Sequence, residues 1–213
     1  MSRILAPDSG FMLFLSKLFD ILIISLFFLV CCIPIVTIGP AFCALYASTR
    51  KVIVKREGYV AKEFFHSFRI NLAQGIIAWL IQFLIMLLMG INIFYVATSW
   101  KNMAGVIAAG VYFAVLCIIL ILSGYLFPIL SRFECKGKKL ISSAAMMAVA
   151  HPAASVMILF LEIIFYILLV TSYAMFPLLL FLLPVGYAVL QQLILEKIFV
   201  QYMEDESDGQ EAV

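Results

Sequence analysis

The chain predicts an all-α fold, a polytopic transmembrane helix bundle, on three observations. Apolar residues make up 66% of its 213 positions and charged residues 12%, with a mean hydropathy of +1.17. A soluble domain is about half apolar and about a quarter charged. Long apolar runs recur along the chain, separated by short polar or Pro/Gly-marked stretches. Most of its basic residues gather in two of those stretches. No water-soluble core of this size can hide that much apolar surface, which makes the bilayer the solvent. The expectation is about six membrane helices plus an amphipathic helix at the cytoplasmic face. Residues 1–203 form one domain, and the acidic residues 204–213 form a solvated, disordered tail.

The elements follow in order. Asp8 and Ser9 can cap a first helix near Gly10, and Asp20 to Ile33 completes its span. Pro34 lacks a backbone donor and stops that helix. Gly39 permits an unusual backbone angle and Pro40 suits a first helical turn, so IPIVTIGP reads as a tight connection. The second helix, Pro40 to Arg56, is short. It crosses the membrane only if Arg50, Lys51, Lys55 and Arg56 snorkel to the headgroups. A re-entrant segment is the rival reading.

Tyr59 to Gln74 places Val60, Phe64, Phe68 and Leu72 every four residues, with Lys62, His66, Arg69 and Asn71 between them. This is the pattern of a helix lying on the membrane surface. Gly75 to Ser99 is the third span, with Gln82 and Asn92 inside it; Trp100 and Tyr95 sit at aromatic-belt level. Met103 to Leu130 is a charge-free fourth span. A basic loop and a small-residue helix, Ile141 to Ala150, lead to His151-Pro152. Ala153 to Tyr173 carries Glu162, and Ala174 to Leu195 is interrupted by Pro177, Pro184 and Gly186. Arg50, Gly58 and Asn71 recur loosely as Arg132, Gly137 and His151, an offset of roughly 80 residues. With six spans, the positive-inside rule places both termini in the cytoplasm of a cell-membrane protein.

Several functions are excluded or disfavoured. The basic loops are too small for a nucleic-acid face. Cys31, Cys32, Cys43, Cys117 and Cys135 show no CxxC and no His at ligand spacing, so they read as free thiols and no metal or cofactor is expected. No HExxH, GxSxG, GxGxxG or Walker A motif occurs, and an enzyme is not expected.

The run PIVTIGPA followed by ALY, and then EGYVAKEFFHSFRINLAQG, resembles the YesL-like family of bacterial membrane proteins. Pro34 to Gly75 carry the resemblance. It supplies no catalytic residues. It implies an accessory component of carbohydrate ABC-type uptake, because family members tend to be encoded beside such transporters and two-component sensors. Permease subunits or a membrane sensor are then the implied partners, besides the lipid bilayer. The chain lacks the coupling-loop signature of a permease proper.

The residues themselves point to a second function class. Glu162 is the one acid deep in a span, where a charge costs at least about 2.5–3.5 kcal/mol, so it is neutral or paired. Counted from its helix start it lies near mid-membrane, at a depth similar to Gln82. A Glu162–Gln82 hydrogen bond is the architectural reading. A proton or substrate site with Tyr166 one turn along, serving a small stand-alone transporter or channel, is the functional one.

Overall fold

The computed structural model describes residues 10–54, 58–99, 103–133, 137–175 and 181–211. They form eight α-helices and, among the described residues, no strand. α1 is Gly10–Cys32, and a 3₁₀ turn at Ile35–Thr37 leads into α2, Ile38–Ser48. A π turn, Thr49–Val54, continues α2. α3 is Val60–Ile70, α4 Leu72–Ser99 and α5 Met103–Arg132. α6 is Lys138–Ala150, α7 Pro152–Met175 and α8 Leu183–Glu211.

α2 is the central element. Gly39, Pro40, Ala41, Cys43, Ala44, Leu45, Tyr46 and Ser48 are all buried. Two glycines allow this. A Cβ on Gly39 would collide with the carbonyl of Gly75, and a Cβ on Gly75 would stand 2.8 Å from the Pro40 nitrogen. α2 and α4 therefore meet backbone to backbone, as small residues permit between membrane helices. Phe42 joins the two halves of the core. Its ring lies 5.1 Å from Phe28 in the α1–α2–α3 cluster and is stacked 5.8 Å from Phe127 in the α5–α8 cluster.

Thr37 fastens the turn between α1 and α2. Its hydroxyl lies 2.6 Å from the Cys31 carbonyl and 2.8 Å from that of Pro34 and donates its one proton to one of them at a time, and its amide donates to Pro34 (3.0 Å). Ile33, Ile35 and Val36 around it are exposed, an apolar surface that suits hydrocarbon.

Five helices are long and apolar enough to cross a membrane, within α1, α4, α5, α7 and α8. α2 is not among them, which corrects the expected count of six. Its length explains why. The π turn after α2 brings Arg50 to Glu196, which Arg132 also reaches, and twelve residues back to Ile38 give about 18 Å of rise, against about 30 Å of hydrocarbon. Phe28 faces Phe42, so the hairpin's register sets Asp20 of α1 level with Arg50. The second arm of the α1–α2 hairpin is thus short. By contrast, α5 runs from Arg132 to Met103, about 44 Å.

α3 packs on protein through part of its aromatic face: Phe64 is fully buried, with its ring 5.7 Å from Phe27 and 6.4 Å from Phe68, while Phe65 stays exposed. The Ser67 hydroxyl donates to the Cys43 carbonyl at 3.4 Å. The apolar stripe found α2 before it found the membrane. The readings for Lys55, Arg56, Trp100, Lys101, Cys135 and Pro177 lie outside the described residues.

The recurrence at roughly 80 residues has a structural counterpart. Arg50 and Arg132 both reach Glu196. Gly58 and Gly137 both hold positive φ, 82° and 59°, before a short helix. Asn71 and His151 end those helices, and a long apolar helix follows each.

The short second arm predicts a labelling pattern. In a cysteine-free background, Ile35→Cys is expected to resist a membrane-impermeant maleimide applied from either side of sealed vesicles. Rapid labelling from the side opposite Arg50 would show a full crossing.

Candidate functional site

α7 carries Glu162 ten residues after Pro152 and thirteen before Met175, close to its midpoint. The side chain is buried against Gly124 of α5, where a Cβ would stand 2.9 Å from Glu162 Oε1. The glycine thus makes room for the carboxyl. Ser123 Oγ donates to Glu162 Oε1 at 3.1 Å and is 3.4 Å from Oε2. The same hydroxyl lies 2.6 Å from the Leu120 carbonyl. Its single proton serves one acceptor at a time. Tyr187 of α8 lines the same space as the carboxyl. One turn along α8, Gln191 Nε2 donates to the Gly124 carbonyl at 2.7 Å, closing the wall behind the acid.

These groups line a cavity of about 20 Å³. A water needs about 10–15 Å³ by the same measure, so the space holds one. Gln82, Tyr166, Trp79 and Tyr46 complete the polar lining. The Trp79 indole N–H and the Tyr46 hydroxyl are buried and have no hydrogen-bond partner in the protein. A lone carboxyl among hydroxyls and amides can hold or release a proton, or hold a guest no larger than water. Among the described residues no group of His, Cys, Asp or Glu is placed to hold a metal. The described cysteines Cys31, Cys32, Cys43 and Cys117 are free.

Glu162, Gln82 and Tyr166 therefore share one chamber, but Glu162 bonds Ser123, not Gln82. The Gln82 amide instead reaches the Met86 sulfur at 3.9 Å. Asn92 bonds within its own helix, to the Leu88 carbonyl at 2.7 Å. Gln191 and Gln192 do bond between helices, the latter to the Tyr46 carbonyl at 2.8 Å. Pro34, Gly39 and Pro40 build the hairpin turn and its contact with α4, and contribute no group to the chamber.

The other candidates lie on α3. Phe64 and Phe68 anchor it, and Asn71 ends it, with Nδ2 donating to the Ser67 carbonyl at 3.0 Å. Arg69 is exposed beside Lys62 and His66. At the same end of the bundle, Glu196 receives Arg132 at 3.0 Å and Arg50 at 3.6 Å. The Arg132 guanidinium also lies 5.1 Å from the Phe199 ring centre, a cation–π distance.

Sequence reasoning missed Ser123, Tyr187, Tyr46, Trp79 and the Glu196 cluster. Two signals were available. Ser123-Gly124 is a small pair in a charge-free span. Tyr187 and Gln191 are one helical turn apart just after Gly186.

Glu162→Gln keeps an acceptor for Ser123, so stability is expected to change by less than about 1 kcal/mol. Glu162→Leu takes that acceptor away, leaves Ser123 only the Leu120 carbonyl, and sets an apolar side chain against the polar chamber lining. The expected loss is about 1–2 kcal/mol. Unfolding in detergent–denaturant mixtures measures both. Equal stability of the two variants would remove the carboxyl from the structural framework.

Residues 21–93 match a family model described as "Protein of unknown function, DUF624". The match spans most of α1, the hairpin, α3 and most of α4, and includes Trp79 and Gln82 of the chamber but not Ser123, Glu162 or Tyr187. No curated protein and no solved structure matches the chain.

Proposed function

We propose that this multi-pass membrane protein is a non-catalytic accessory component associated with carbohydrate uptake of the ABC type, working through the outer face of α3. One observation carries the reading. α3 is anchored through the fully buried Phe64 while Lys62, His66 and Arg69 remain exposed. A short helix fixed on one side and basic on the other is a ready contact for a permease subunit or membrane sensor. The resemblance of Pro34 to Gly75 to the YesL-like family supplies the transporter context. The chamber volume agrees, because about 20 Å³ is far below the roughly 300–1,000 Å³ of small-molecule sites.

In this reading the protein sits in the cell membrane with its Arg50–Arg132 end in the cytoplasm, where Lys51, Lys62, Arg69 and Lys139 also gather. With α2 too short to cross fully, the α1–α2 hairpin returns to its own side and four long helices follow, so the reading keeps both termini on the same side, as six full spans would. A stand-alone transporter or channel working at Glu162 is the second reading. The burial of that carboxyl favours it and limits the cargo to something water-sized.

Affinity purification in mild detergent tests the first reading. Transporter subunits are expected to co-elute, and Lys62→Glu combined with Arg69→Glu is expected to release them while the protein stays folded. Purification without such subunits would remove the accessory role. Retention by the double variant would move the contact off α3. Reporters fused before Met1 and after Val213 are both expected to report cytoplasm; opposite reports would mean that α1 crosses alone.

A further inference from the structure

We propose that Glu162 is a proton-binding site that exchanges with solvent at the Arg50–Glu196 end of the bundle, through Tyr187, one water held in the chamber, and Tyr46. The proposal goes beyond an accessory role and holds with or without a transporter partner or a cargo.

Three observations carry it. First, Tyr187 of α8 lines the same space as the Glu162 carboxyl, so α8 offers a hydroxyl for the first link. Second, the Tyr46 hydroxyl and the Trp79 N–H belong to side chains lining the same 20 Å³ space, and both lack a partner in the protein. Buried donors without acceptors are costly. One water accepts from both and returns its own protons toward Tyr187, and the space fits one. Third, the polar groups continue past Tyr46. Gln192 donates to the Tyr46 carbonyl, and Glu196 follows one turn along α8, where Arg50 and Arg132 meet it. Tyr187 and Glu196 are nine residues apart, as are Ser123 and Arg132 on α5, about 14 Å of rise in each case. Two helices thus carry polar groups over the same distance, from chamber to charged end.

Every element around the acid fits this direction. The titratable groups near Glu162 are Tyr187 of α8, Tyr166 of α7 and Tyr46 of α2. α4 presents Trp79 and Gln82, and α5 presents Ser123, none of which titrates. Tyr166 is 40% exposed on the flank of the bundle, so a path through it ends in hydrocarbon. Beyond Tyr46 lie Glu196, Arg132 and Arg50, and the Glu196 side chain is 42% exposed.

The transfer balances. As Glu162 gives its proton to the Tyr187 oxygen, Tyr187 gives its own to the water. The water gives one to Tyr46, and Tyr46 gives one to a water that reaches its buried hydroxyl from the Glu196 end. Each relay gains and loses one proton. The net change is a carboxyl becoming a carboxylate and one proton reaching solvent.

Infrared spectroscopy of the purified full-length protein tests this. A protonated-carboxyl band that disappears in Glu162→Gln assigns Glu162, and its shift on exchange into D2O gives the exchange rate. Tyr46→Phe is expected to slow that exchange at least tenfold with an unchanged melting temperature, because the hydroxyl it removes has no protein partner. Tyr187→Phe is expected to slow it similarly. Exchange in Tyr46→Phe at the wild-type rate would overturn the path. A lower melting temperature for Tyr46→Phe would also overturn it, by giving that hydroxyl a structural partner. Absence of a Glu162 carboxyl band at any accessible pH would overturn the site itself. None of these readouts involves sugar uptake, so failure here is separable from failure of the accessory role.

Discussion

Glu196 sets the geometry of the bundle. It is the acid that both Arg50 and Arg132 reach, and through them it ties the turn after α2 and the end of α5 to the middle of α8. The Arg132 guanidinium is almost enclosed, at 6% side-chain exposure, and lies beside Phe133 and Phe199. A guanidinium in such surroundings must keep its carboxylate, because removing one partner leaves a buried charge uncompensated. The consequence is positional. With Arg50 held at that level, the start of α2 lies about 18 Å away, and the depth of the hairpin turn is fixed.

The second constraint is the contact of Gly39 with Gly75. Without a hydrophobic force between helices in lipid, close approach and dispersion have to hold α2 in place. Phe42 then reaches both halves of the core from one position. A larger residue at either glycine would push α2 away from α4 and draw Phe42 from Phe127, so the chamber wall formed by α2 depends on two missing side chains.

Most of the helices were legible in the sequence because hydrocarbon imposes a length. α4, α5 and α7 begin and end within a few residues of the apolar runs that announce them. α2 and α3 were harder, for one reason. An apolar stripe states that a face is buried and is silent on what buries it. Phe64 and Phe68 look the same whether they meet lipid or Phe27. Glu162 stood out because an acid in a span is costly, yet its partners did not. Ser123 and Tyr187 are common in membrane helices, and only the fold brings positions 123, 162 and 187 together. Arg50 and Arg132 were noticed as repeat positions, but a shared carboxylate between them has no signature in spacing.

The tip of the α1–α2 hairpin carries exposed Ile33, Ile35 and Val36. In hydrocarbon these side chains cost nothing, whereas in water each Å² of exposed apolar surface costs about 25 cal/mol. The turn is therefore the part of the molecule for which the choice of detergent or lipid matters early, because it has no second protein layer to fall back on.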